Sequence, residues 1–242
     1  MNILTNRIEY SVGDARHLGY LACDDEISGK RPGIILVHEW WGLNDYMVRR
    51  AHMLAELGYV ALAIDMFGDG RVADNPDEAG GLMNGVLNDM ETGTAALEAG
   101  YQLLLSQVGV DPGRTAAIGY CFGGAMVLHM ARIGMPLSAV VSFHGALGSF
   151  HTADPGTIKP AILVCHGAAD SMVSMQDLDA FKQEMDRAQA DYEVLVLDGA
   201  RHGFTNPQAD INAEKYGIDL GYQQQADARS WSAMQSLFER VF

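Results

Sequence analysis

Six short apolar runs punctuate this chain, at residues 34–37, 60–64, 115–118, 139–143, 161–165 and 193–197, with longer segments between them. Runs so continuous in β-branched and aliphatic residues suit strands covered on both faces, as in a parallel sheet. The intervening segments carry helical spacing. Met47, Ala51, Leu54 and Ala55 share one face, with Asn44 or Asp45 to cap it and Gly58 to stop it. Leu97, Tyr101, Leu104, Leu105 and Val108 repeat in the same way, as do Trp231, Met234, Phe238 and Val241. Such alternation predicts a doubly wound α/β fold with right-handed crossovers. Residues 10–12 and 18–21 read as an antiparallel pair at the start. Stretches 67–81 and 204–221 read as irregular, and both follow strands that end at the sheet's carboxyl edge, where open α/β folds place ligands. They are therefore expected to form pocket walls or lids. Neither an internal repeat nor a domain-sized linker interrupts residues 1–242, so one domain is expected.

The balance of residues narrows the function. A net charge of −15 would repel phosphates and excludes a nucleic-acid partner. The 48% of hydrophobic residues is enough for a sizeable core. Nothing in the first residues resembles a signal peptide, and no run of 18 apolar residues offers a membrane span. The three cysteines, Cys23, Cys121 and Cys165, form neither a disulfide framework nor a metal motif, which suits a reducing, cytoplasmic setting.

Chemistry enters at Gly119-Tyr120-Cys121-Phe122-Gly123-Gly124, between the 115–118 strand and a helical pattern from 125 to 133. This is the context of a nucleophile elbow with cysteine as nucleophile. The turn is tight, so the flanking positions must be small, and Gly119 and Gly123 are. A helix N-terminus behind Cys121 favours the reactive thiolate, and the Phe122 N–H would face a developing oxyanion. Alone, such a motif fits a buried packing cysteine equally well. Asp170, in Gly167-Ala168-Ala169-Asp170, and His202, in Arg201-His202-Gly203-Phe204, each follow a later strand. Each has a bland alternative, a helix cap for Asp170 and a surface loop residue for His202. Together, in the order nucleophile, acid, histidine, they match the α/β-hydrolase arrangement.

With those segments, and with Glu39-Trp40-Trp41-Gly42 after the first long strand, nearly the whole chain resembles the dienelactone hydrolase family. The resemblance implies an α/β-hydrolase fold, a mostly parallel sheet of about eight strands with helices on both faces. It implies a Cys121–His202–Asp170 triad that hydrolyses an ester or lactone through an acyl-enzyme, without cofactor or metal. It gives Glu39 a place beside the thiol and makes the Trp40 N–H a second oxyanion donor.

Two departures from the family bear on substrate. Members acting on dienelactone hold its carboxylate with arginines. Asn206 stands where one is expected, four residues after His202, and no arginine occurs from Val72 to Gly113, leaving Arg71 as the nearest candidate. A neutral, apolar ester or lactone is therefore expected, with Trp41, Arg71, His144, Phe204 and Asn206 lining its site. His38 and His144 are read as pocket-facing or hydrogen-bonded structural residues, while His129 and Cys165 are read as core. Two alternatives stand beside this reading: turnover of activated neutral phosphotriesters, and a non-catalytic sensor of a small hydrophobic ligand. Monomer and homodimer both remain open.

Overall fold

In the computed structural model, which describes residues 2–242, the strand–helix alternation takes shape as eight strands and seven helices. The strands form one sheet in the order β1-β2-β4-β3-β5-β6-β7-β8. The chain divides into two compact units, Met1–Ala117 and Ile118–Phe242.

The first unit opens with an antiparallel hairpin of β1 (Ile3–Val12) and β2 (Ala15–Asp24), longer than the 10–12 and 18–21 pair expected. β2 runs antiparallel to β4 (Val60–Ile64), and β4 runs parallel to β3 (Arg31–Val37). Every residue of β4 is buried, as the unbroken apolar run requires. Between β3 and β4, α1 (Asp45–Glu56) starts at Asn44, whose side chain accepts the Tyr46 and Met47 N–H groups. Met47, Ala51, Leu54 and Ala55 are its buried stripe, as their spacing predicts.

Two sequence expectations need correction here. The stretch 67–81 is not wholly irregular, because α2 (Pro76–Leu87) begins inside it, capped by Asn75 and with Pro76 in the first turn. Gly80, Gly81 and Gly85 hide this helix from an apolar-period search, and a Cβ at any of the three would meet nothing within 4 Å. Only Ala79 of α2 is buried. The following α3 (Met90–Leu105) buries Leu97, Tyr101 and Leu104, but Val108 lies beyond its end and is 97% exposed.

The second unit holds the end of β5 (Val110–Tyr120), then α4 (Phe122–Arg132), β6 (Ala139–Phe143), β7 (Ala161–Gly167), α5 (Met175–Ala188), β8 (Tyr192–Leu197), α6 (Ala209–Tyr216) and α7 (Gln224–Val241). β6, β7 and β8 pair in parallel, and β6 and β7 are buried throughout. A capping box between Ser174 and Asp177 starts α5. α6 lies inside the 204–221 stretch that reads as irregular. Ala209 is its only buried residue, so no hydrophobic period marks it. Among the described residues, no helix is long and apolar enough to cross a membrane.

Candidate active site

β5 ends at Tyr120, and Cys121 makes the turn into α4. The Cys121 backbone has φ 54° and ψ −115°, a combination that L-residues rarely adopt. Strain of this kind costs on the order of 1–3 kcal/mol and persists where the surroundings enforce it. Here they do. A Cβ on Gly119 would collide with the Gly123 carbonyl, and one on Gly124 would come 2.7 Å from the Gly145 Cα, so these glycines allow the tight turn and bring α4 close to β6. The Cys121 N–H donates to Phe143 O at 3.0 Å, and Cys121 O accepts from the Gly124 N–H at 3.0 Å. Cys121 is half-buried, and its side chain is hydrogen-bonded to His202. Phe122, the first residue of α4, is buried.

Asp170 follows β7 in a turn laced to the loop that bears His202. The Ala168 N–H donates to Leu197 O and the Ala169 N–H to Ala200 O, each at 2.9 Å. A Cβ at Gly167 would collide with the Ala200 carbonyl, so glycine is needed for this approach. Asp170 Oδ1 accepts the Met172 and Val173 N–H groups at 2.9 Å each, and Oδ2 lies 2.8 Å from His202 Nδ1. Burial opposes the Asp170 charge, but the His202 hydrogen bond and charge, together with the two backbone donors, hold its carboxyl below the usual range.

His202 is 4% exposed. Burial works against its positive charge. The Cys121 sulfur and the Asp170 carboxylate outweigh it and push the imidazole up to about 10. A sulfur, an imidazole and a carboxylate in this sequence can pass a proton from sulfur to ring and stabilise the imidazolium that results.

His144 closes this group from the side. Its φ is 41°, the second strained non-glycine position beside the elbow. Its Nε2 lies 2.7 Å from Thr205 Oγ1, and its ring stands edge-to-face with His202 at 5.3 Å and with Phe204 at 5.0 Å. Thr205 is fully buried. Nothing in the sequence singles it out, apart from its place three residues after His202.

Other candidates are engaged elsewhere. Asn206 is buried, its Oδ1 accepts the Gln208 N–H at 2.9 Å, and its carbonyl accepts the Ala209 N–H, so it builds the entry to α6. Arg201, beside His202, pairs with Asp219 at 3.2 Å and Asp210 at 3.5 Å. His129 is buried in α4, which together with the neighbouring charges of His151 and Arg132 lowers its pKa to about 4. Cys165 is fully buried, which pushes its thiol well above the usual value.

In the first unit, Glu39 is 4% exposed and so is not a solvated loop carboxylate. Trp41 is buried and Trp40 half-buried, with ring centroids 5.0 Å apart. His38 is a structural residue of that loop: its Nδ1 lies 2.6 Å from Glu39 O, and its Nε2 accepts the Met66 N–H at 3.1 Å. The Arg71 guanidinium donates to the Phe67 and Gly68 carbonyls of its own loop. Among the described residues, no group of three or more His, Cys, Asp or Glu side chains is placed to hold a metal ion.

The chain is similar to known proteins over nearly its whole length. A dienelactone hydrolase-like promiscuous phosphotriesterase from metagenomic libraries is 38% identical, with a TM-score of 0.90 over 99% of both chains. A solved structure designated m3DLH is 40% identical, with a TM-score of 0.93 over 99% of both chains. A candidate carboxymethylenebutenolidase of Synechocystis sp. is 28% identical over 239 residues, covering 91% of this chain and 90% of its own. The sequence profile of the dienelactone hydrolase family matches residues 18–242, and the chain belongs to that family.

Proposed function

We propose that this hydrolase cleaves an uncharged ester or lactone by nucleophilic catalysis at Cys121. The observation that carries the reading is the continuous link from Asp170 Oδ2 through His202 to the Cys121 side chain, closed on a strained strand-to-helix turn. Cys121 Sγ attacks the carbonyl carbon, with the Phe122 N–H facing the oxyanion. His202 gives its proton to the departing alkoxide, and a thioester forms on Cys121. Acylation blocks the sulfur and removes the interaction that most strongly raises the His202 pKa. The imidazole then turns from acid to base and takes a proton from the water that hydrolyses the thioester. By family resemblance, Glu39 and the Trp40 N–H serve the same chemistry.

His202→Ala tests this division of labour. Water needs a general base more than a thiolate does, so deacylation should slow by about 10²-fold or more while some acylation survives. Intact-protein mass spectrometry after mixing with p-nitrophenyl acetate should show an acetyl group retained on Cys121. A variant that clears its adduct at the wild-type rate would remove His202 from the base role.

A second reading is turnover of activated neutral phosphotriesters. The likeness to a promiscuous phosphotriesterase at 38% identity favours it. The same sulfur would attack phosphorus and expel the activated alkoxide or phenoxide, and hydrolysis of the resulting S–P bond, which frees Cys121, would limit the rate.

A further inference from the structure

β6 carries none of the three proposed catalytic side chains, yet its end touches the carriers of all three. Phe143 O accepts the Cys121 N–H at 3.0 Å. The His144 N–H donates to Cys165 O at 2.9 Å, on the strand that leads to Asp170. The His144 side chain reaches Thr205, and its ring lies 5.3 Å from that of His202. We infer that His144 is a positioning residue that holds the His202 ring during deacylation, with Thr205 as its anchor. This rests on the function proposed above.

The need for such a brace arises within the catalytic cycle. In the resting enzyme His202 is held by Asp170 at Nδ1 and by the Cys121 side chain. Once the sulfur is a thioester it can no longer exchange a proton with the imidazole, and its grip on the ring weakens. The ring then pivots on a single hydrogen bond at the moment it must take a proton from water, a transfer that demands hydrogen-bond alignment. A flat ring fixed against it restricts that pivot. His144 suits this task because it is itself immobilised: its ring packs edge-to-face with both His202 and Phe204, its Nε2 is bound to buried Thr205, and its backbone is held at φ 41°. A left-handed backbone is unfavourable for a residue with a Cβ, so the position is enforced by its surroundings.

The test is burst-phase kinetics with p-nitrophenyl acetate on His144→Phe, Thr205→Val, the double variant and Thr205→Ser. His144→Phe keeps a ring but loses the bond to Thr205, and Thr205→Val removes the same bond from the other end. Each should slow deacylation about tenfold, the rate equivalent of roughly one hydrogen bond, with the substrate dissociation constant and the acylation rate unchanged. The double variant should be no slower than either single one, and Thr205→Ser, which keeps the hydroxyl, should match the wild type. A weakened binding step in His144→Phe with no effect of Thr205→Val would make His144 a substrate contact and overturn the inference. So would single effects that multiply, equal losses in acylation and deacylation with a lowered Tm, or variants as fast as the wild type. A wild type that forms no adduct on Cys121 would overturn the proposed function as well, and it is recognised before any variant is made.

Discussion

Cys121→Ala is expected to lower ester turnover by about 10³-fold or more while the protein still folds. Alanine keeps the Cβ, so it enters the same strained backbone at φ 54° at no new steric cost, and the surrounding contacts of Gly119, Gly124 and Phe143 O involve main chain rather than sulfur. What disappears is the atom that forms the covalent bond and the interaction that most strongly raises the His202 pKa. Cys165 cannot substitute, because it is fully buried and its thiol is held in the neutral form. The measurement is kcat/KM on p-nitrophenyl acetate, with circular dichroism to verify folding and iodoacetamide-treated wild type as a parallel. Retained turnover in the alanine variant would place the nucleophile elsewhere and sink the mechanism.

The second large effect concerns substrate charge. A dienelactone bearing a carboxylate should show a kcat/KM about 10²–10³-fold below that of a neutral lactone or aryl ester of similar size, because burying an unpaired carboxylate costs several kcal/mol. The cations that could receive it are already engaged. Arg201 is tied to Asp219 and Asp210, and Arg71 to two carbonyls of its own loop. Asn206, in place of an arginine, is buried in the turn before α6. A protein of net charge −15 adds long-range repulsion that salt should screen. If the carboxylate is the better substrate in parallel assays, one of these arginines must leave its partner on binding.

The sheet and the elbow were legible in the sequence because both rest on local pattern. β4 and β6 coincide with their apolar runs to the residue, and Gly119, Cys121 and Gly123 mark a turn whose tightness dictates its composition. Asp170 and His202 could be read because each stands at a fixed place after a strand. α6 could not, since a helix with one buried residue leaves no period. α2 was not read either, since three glycines blur its pattern. The His144–Thr205 contact joins residues 61 apart, and the pairing of Arg201 with Asp219 depends on how the 217–221 loop returns. Such long-range side-chain partners leave no trace in spacing.

The glycines of α2 also bear on how durable this catalyst can be made. Each helical glycine forgoes about 1 kcal/mol relative to alanine, and where a helix packs tightly that loss is the condition of close approach. At Gly80, Gly81 and Gly85 no such approach exists, for an added Cβ would stand in open space with ordinary backbone angles. Thermal endurance is thus still available in a segment that carries none of the residues assigned to the reaction. Cys121 and His144, by contrast, hold their strain where the chemistry is proposed to occur. Engineering for heat tolerance and engineering for rate can therefore proceed at separate addresses in the chain.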